Sequence, residues 1–318
     1  YRFVRAHFFP YYTFDLDRTL FFFTSGRFEP RNKGFDLSLE ALARLNALLK
    51  GSGLDVTVVF FVVTRRDGTQ VNHQCLRSRA LLGELDNTCA AITDQVGRRL
   101  FDEVASGRLP DLGSLVDDYW TLRLRRTMQA WRRHGWPPVC THDIYDADRD
   151  PVLAQIRGLW LANSPDDPVK VIYHPEFVTP ANPLWTMEYD QFVRGCHLGV
   201  FPSAYEPWGY TPLECLASGV PAVSSDLSGF GQYVAARFKD HDDRGAFIVR
   251  RAGRHYHDAA AELAEILLRF CRLKRRDRIA LRNRVDAAVE AFDWSQLIDA
   301  YDRAHSLALA AETAERAG

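Results

Sequence analysis

The chain has 318 residues, 47% hydrophobic and 25% charged, with a formal net charge of −1 at pH 7. This is a globular composition with room for two ordinary domains or one large one with an insertion, and its charge balance makes no case for nucleic acid or an anionic membrane surface. No apolar run reaches the roughly 18–20 residues of a membrane helix.

In chain order, RTLFFFT (18–24) is an apolar run bounded by turn signals and is predicted to be a buried parallel strand. SGRFEPRNKG follows as a loop. FDLSLEALARLNALLK (35–50) has Leu39, Leu42, Leu45, Leu48 and Leu49 at helical spacing and is closed by Gly51 and Gly53. LDVTVVFFVVT (54–64) is the next strand and completes a βαβ unit. Between 71 and 137 the texture becomes helical. Leu76, Leu81, Leu82, Leu85, Ile92 and Val96 are followed by Trp120, Leu122, Leu124, Met128 and Trp131. A long helical hairpin inserted in an α/β domain is expected, and its bulky apolar residues suit contact with another subunit or packing back on its own domain. GWPPVCTHD (135–143) closes it. VKVIYHPEF (169–177) is a strand entering a loop, EYDQFVRGC (188–196) a short helix and HLGVFPS (197–203) a strand. TPLECLASG is a helix, VPAVSSD (220–226) a strand, LSGFGQYV a glycine-flanked turn and 269–292 helical. The order is that of a doubly wound, Rossmann-like α/β sheet.

EPWGYTPLEC (206–215) leaves the carboxyl end of a predicted strand, where open α/β sheets bind ligands. Thr211 fits an N-cap, Pro212 the first helical residue and Glu214 the third position of a capping box. Gly209, Tyr210 and Thr211 can then aim backbone N–H groups at an anion such as a diphosphate. Glu214 is either the capping-box acid or an acceptor for a ribose diol. Glu206 is either a surface loop acid or a contact to a transferred group. In GRFEPRNKG (26–34), Arg27 and Lys33 lie six residues apart across a turn and suit a departing diphosphate without a metal, with a solvated basic loop as the alternative. Neither Asp-x-Asp nor a His/Cys cluster offers a metal site; DLDR (15–18) lies too close to a strand start. The cysteines (75, 89, 140, 196, 215, 271) form no CxxC and are expected as buried thiols in a reducing cytoplasm. Lysine occurs at five positions, so a lone arginine is weak evidence of function. Within KRRDRIALRNR (274–284), Arg275, Arg278 and Arg282 share a helix face, with Arg276 and Arg284 nearby; the stripe is either solvated or an anion site. The opening YRFVRAHFFP lacks a methionine and reads as mid-protein sequence, and no signal peptide is seen.

GRFEPRNKG, KVIYHPEF, EYDQFVRGCHLGVFPSAYEPWGYTPLEC, LSGFG and RRDRIALRNR, in this order, resemble the C-terminal half of animal and fungal glycogen synthases of glycosyltransferase family 3. The resemblance covers nearly the whole chain. It implies a GT-B fold whose other Rossmann-like domain precedes Tyr1. The domains would be 1–70 and 138–292 for nucleotide binding, 71–137 as a helical oligomerisation insertion, and 293–318 as a terminal helix. It implies retaining transfer of glucose from UDP-glucose to the non-reducing end of an α-1,4-glucan such as glycogen, with no cofactor or metal. Arg27 and Lys33 match the phosphate-binding pair and Glu206 the acid near the reacting sugar. Glu214 matches the acid near the ribose, Gly209, Tyr210 and Thr211 the phosphate-contacting turn, and Phe177 and Tyr189 the nucleobase surroundings, with core packing as the alternative for these two aromatics. His197, at the start of a strand near the site, is expected as buried support. Arg275, Arg276, Arg278, Arg282 and Arg284 match a helix that binds the activator glucose-6-phosphate. A cytoplasmic homo-oligomer, a tetramer, is expected, with no nucleic-acid or membrane partner. A non-catalytic nucleotide-binding or assembly homologue and a UDP-sugar epimerase of GT-B fold remain the alternatives.

Overall fold

The computed structural model describes residues 1–317, without the side chains of Gln296 and of 312–317. A short helix, α1 (Arg2–Phe8), precedes β1 (Thr19–Arg27), α2 (Phe35–Ser52) and β2 (Thr57–Arg65). Then come β3 (Thr69–Val71), α3 (His73–Ala105), α4 (Asp118–Trp131), β4 (His142–Ile144), α5 (Pro151–Gly158) and β5 (Val169–His174). The remainder runs α6 (Tyr189–Gly195), β6 (Leu198–Val200), α7 (Tyr210–Ala217), β7 (Ala222–Ser225), α8 (Gly229–Arg237) and β8 (Ala246–Val249), followed by α9 (Tyr256–Arg272), α10 (Arg275–Val289) and α11 (Trp294–Ala317). None of the described helices is long and apolar enough to cross a membrane. The class is α/β, and the chain divides into two units: residues 1–30 with 42–192, and 31–41 with 193–318.

In the first unit β1 pairs in parallel with β2, and β2 with β5. Strands covered on both faces need no polar alternation, which is why TLFFFT and VVFFVVT are continuous apolar runs and are buried throughout. Phe3 stacks on Trp185 with ring centroids 4.0 Å apart, and Trp185 meets Phe61 at 5.4 Å and Phe192 at 5.0 Å. Truncating so embedded an aromatic to alanine costs about 3–5 kcal/mol. The helical segment leaves and returns through the antiparallel ribbon β3–β4. Inside it, Asp117 ties α3 to the start of α4 by accepting from Arg99 at 2.7 Å. Phe101, Tyr119, Leu122 and Met128 of the segment are exposed.

In the second unit β6 pairs in parallel with β7, and β7 with β8. The strand β8 is absent from the sequence reading because AFIV is too short to stand out between charged neighbours. Helix α9 buries Leu263, Ile266, Leu267 and Phe270 beside it. The helical stretch expected at 269–292 is broken at Leu273 and Lys274, whose backbone is extended. LSGFGQYV, expected as a turn, opens helix α8 instead. Ser228 is its N-cap, and the hydroxyl accepts from the Gly231 amide at 3.0 Å. Glycine stands at 229 because a Cβ there would overlap the carbonyl oxygen of Pro207.

Candidate functional site

In the second unit, the loop between β6 and α7 is fastened on two sides. The Ala204 amide donates to the Asn32 carbonyl at 2.8 Å, the Gly229 amide to Glu206 at 3.0 Å and the Phe230 amide to Trp208 at 2.6 Å. The Trp208 ring packs on Phe230 and Tyr233 with centroids 5.9 and 5.6 Å apart. A loop pinned at alternate residues holds its intervening side chains in fixed directions. The Glu206 carboxylate accepts from the Lys33 ammonium in an ion pair between residues 173 apart in sequence. Lys33 is 15% exposed and Glu206 24%, so water screens the pair less than a surface bridge.

The start of α7 corrects the sequence reading. The N-cap is Gly209, at φ +116°, and no side chain caps the helix. An L-residue is strained at that angle, and glycine lets the chain turn from Trp208 directly into helix, two residues before Thr211. Pro212 is therefore the third helical residue; its missing N–H removes nothing, since first-turn amides have no intrahelical acceptor. The Thr211–Glu214 capping box does not form. Glu214 is exposed, and no hydrogen bond to its carboxylate is found among the described residues; only its backbone carbonyl accepts, from the Ser218 amide at 3.0 Å. Tyr210 is exposed and Thr211 half-buried, so their amides open the helix at its positive end.

In the first unit, Arg27 is the last residue of β1 and stands in register with Arg65, the last residue of β2. Arg27 is 77% exposed and pairs with Glu29 at 3.3 Å. The Arg65 guanidinium lies 5.4 Å from the centroid of the exposed Phe177 ring. The Tyr189 hydroxyl is 2.5 Å from Ser25 Oγ, on the strand face that Arg27 continues. The unit thus gathers Arg27, Arg65 and Phe177 at adjacent strand ends. Arg65 was not singled out in the sequence; its place beside Arg27 follows from strand register, which one sequence does not display. The Phe177 loop is anchored by buried Asn182, whose amide donates to the Phe177 carbonyl at 3.3 Å and approaches His174 Nε2 at 3.4 Å. The Thr141 hydroxyl lies 2.8 Å from Nδ1 of both His142 and His174. Burial, followed by the neighbouring His142, lowers the pKa of His174 to about 3.

The arginines of α10 separate into two kinds. Arg278 is half-buried and donates to the Leu273 carbonyl. Arg282 donates to the carbonyls of Cys196 at 3.4 Å and Arg194 at 3.2 Å, and Arg284 to Asp243 at 2.7 Å. Arg275 and Arg276 are exposed, with no ion pair among the described residues. His197 is half-buried; burial and then the charges of Arg278 and Arg282 lower its pKa to about 4. Four cysteines are buried, whereas Cys89 is exposed and Cys140 half-buried, against the expectation that all six are interior. Among the described residues no group of three or more His, Cys, Asp or Glu side chains could hold a metal ion. Asp15 of DLDR accepts from the Asp17 amide at 2.8 Å, closing a local turn.

Parallel strands with acid, base and glycine-rich loops at their carboxyl ends define a ligand-binding α/β protein. The glycogen synthase family model matches residues 1–316, and the chain belongs to that family. It is 41% identical over 312 residues to a glycogen [starch] synthase of Caenorhabditis elegans, covering 97% of this chain and 46% of that protein. It is 42% identical over 307 residues to the liver glycogen [starch] synthase of Rattus norvegicus, covering 96% and 44%. Among solved structures it is similar to an α,α-trehalose 6-phosphate synthase from Burkholderia multivorans at 15% identity and TM-score 0.44, covering 95% of this chain and 45% of that one. The chain spans about half the length of the curated relatives it matches.

Proposed function

We propose that the chain is the donor-nucleotide half of a retaining glucosyltransferase that moves glucose from UDP-glucose to the non-reducing end of an α-1,4-glucan. The observation that carries this reading is the Lys33–Glu206 pair beside a helix whose amides open at Gly209. Breaking the bond between the sugar and the diphosphate adds a third negative charge to a group that already carries two, and the barrier falls when fixed cations and N–H dipoles meet that charge as it develops. Lys33 and Arg27 are the cations in this reading, and the amides of Gly209, Tyr210 and Thr211 are the dipoles. Glu206 serves the donor sugar, and Glu214, freed from any capping role, accepts from the ribose diol. Phe177 and Tyr189 flank the base. The acceptor hydroxyl bonds to the anomeric carbon from the face that the diphosphate leaves, as the bond to the diphosphate breaks and the hydroxyl proton passes to the departing phosphate oxygen, so configuration is retained without a covalent intermediate. The half of the relatives' length that this chain does not span would complete the site and hold the glucan.

The arginines of α10 are assigned to glucose-6-phosphate, with Arg275 and Arg276 available to the phosphate and Arg278 and Arg282 fixing the helix. The exposed apolar residues of α3 and α4 are assigned to contacts between copies of the chain in a homo-oligomer, a tetramer, working in the cytoplasm. No cofactor or metal is needed in this scheme. The test is calorimetric titration with UDP, with ADP as control and Arg27→Ala and Lys33→Met as variants. UDP binding that each variant weakens tenfold or more supports the reading. UDP binding unchanged in both variants refutes the assignment of the two cations.

A further inference from the structure

Arg251 follows β8 and is far in sequence from every residue assigned above, yet its guanidinium donates to the carbonyl of Pro202, at the start of the loop that carries Glu206. Its own backbone is pinned. The Arg251 amide donates to Asp226 Oδ1 at 2.7 Å and the Ala252 amide to the same oxygen at 3.1 Å. A guanidinium whose root is tied to the end of β7 has little freedom left, so the Pro202 carbonyl is held from a rigid base.

That carbonyl is where the Lys33 loop sits. Gly34, at φ +71°, approaches it so closely that a Cβ would overlap the oxygen. The Asn32 carbonyl accepts from the Ala204 amide at 2.8 Å. Lys33 lies between these two contacts and reaches Glu206. The charge of Arg251 also faces Asp36, at the start of α2, whose carboxyl burial raises in pKa and Arg251 lowers. Arg251 thus bears on both sides of the clasp: it donates to Pro202 on the loop after β6, and its charge acts on Asp36 of the 32–36 segment.

We propose that Arg251 is the positioning residue that fixes the Lys33 loop on the Glu206 loop, so that the Lys33 ammonium is presented to a diphosphate in one place. It acts through Lys33 and touches no substrate. Without it, the Pro202 carbonyl loses a charged donor and the Gly34 contact loses its stop, so Lys33 samples more positions. The cost of ordering it then falls on ligand binding. The inference rests on the reading of Lys33 as a diphosphate ligand.

The test is UDP titration of the whole chain as wild type, Arg251→Ala, Arg251→Lys, Lys33→Met and the Lys33→Met/Arg251→Ala double variant, each checked by melting temperature. Arg251→Ala is expected to weaken UDP about tenfold, and Arg251→Lys, which keeps a charged donor, to recover most of that. In the Lys33→Met background the alanine change is expected to add nothing, because the residue it positions is gone. Additive losses in the double variant would mean a general structural role and overturn the proposal, as would wild-type affinity in Arg251→Ala. If the wild type itself does not bind UDP, or Lys33→Met binds it normally, the reading of the site fails and this inference falls with it; that outcome is visible without any Arg251 variant.

Discussion

Removing Glu206 should make the chain less stable and yet bind UDP more tightly. The Lys33–Glu206 pair is neither open nor sealed, at 15% and 24% exposure. Exposed pairs contribute about 0–1 kcal/mol, and truncating one partner of a buried pair costs about 3–5. The intermediate burial places the loss in Glu206→Gln or Lys33→Met near 2 kcal/mol. At about 2.1 cal/mol/K of unfolding entropy per residue, this lowers the melting temperature by about 3 °C. The two variants should part company when UDP is added. Lys33→Met deletes a charge-assisted bond to phosphate, a loss of about 1.5–3 kcal/mol, or roughly 10- to 150-fold in affinity. Glu206→Gln deletes the carboxylate that competes with the diphosphate for the ammonium, so UDP gains about 1 kcal/mol, roughly fivefold. Paired thermal denaturation and calorimetry read both quantities. Equal weakening of UDP by the two variants would refute the competition argument, because Glu206 would then be helping the nucleotide rather than holding its ligand.

Gly209→Ala places an L-residue at φ +116° with its Cβ 3.3 Å from Phe230 Cβ, and should cost about 1–3 kcal/mol together with most of the UDP affinity; unchanged melting and binding would show that α7 starts elsewhere. Acid should destabilise the chain. His7, His197 and His174 fold with pKa values lowered by burial to about 4, 4 and 3, so below the unfolded value of 6.5 the unfolded chain binds protons that the folded chain refuses. Stability is then full above pH 6.5 and is lost as pH falls toward 4, a slope that melting curves at stepped pH will read and that His197→Gln should flatten. Arg282→Ala, which frees the carbonyls of Arg194 and Cys196, should lower stability by about 1 kcal/mol, whereas Arg275→Ala and Arg276→Ala should leave it within about 0.5. If glucose-6-phosphate is the effector proposed above, it should raise the melting temperature of the wild type, and the same two exposed variants should abolish that rise; a rise preserved in both would refute the assignment of Arg275 and Arg276. If α3 and α4 join copies of the chain as proposed, light scattering should give the wild type the mass of several chains and Phe101→Glu with Leu122→Glu that of one; a wild type with the mass of one chain would refute the assignment.

What could be read in advance followed from how densely each element declares itself. The strands β1 and β2 are pure apolar runs, and α2 repeats leucine with helical period, so their order and the α/β class were legible. The strand β8 has four residues and α8 begins with two glycines, and both were misread, because local pattern carries less information there than tertiary packing. In α8 the deciding fact is the close approach of Gly229 to Pro207, a contact across 22 residues. The Thr211 N-cap fitted every local rule for a helix start. It lost to one glycine two residues upstream whose left-handed angle no propensity scale records. Lys33 and Glu206 were each nominated, but on separate loops. Their pairing, like the adjacency of Arg27 and Arg65, is set by strand order and register, and a lone sequence is silent about both.

The places where local rules failed are also the places where this protein holds charge. A helix start with a side-chain cap would satisfy one of its own first-turn amides; α7 starts on a glycine without one, which leaves those amides open to the diphosphate proposed above. A lysine on a flexible loop would be hydrated and mobile. Lys33 is instead clasped between Asn32 and Gly34 and paired with an acid, so it carries a partner that a stronger anion can displace. A glycine cap gives up a few tenths of a kcal/mol against a Thr or Asp cap, and the clasp gives up the side-chain freedom of a solvated lysine. They persist in one loop cluster because the surrounding contacts, from Ala204, Gly229, Phe230 and Arg251, over-determine the backbone there. In the proposed reading, a site that binds and releases a diphosphate needs donors that are fixed in place and either open or exchangeable; the α7 amides have no side-chain cap, and Lys33 holds an acid that the diphosphate would replace.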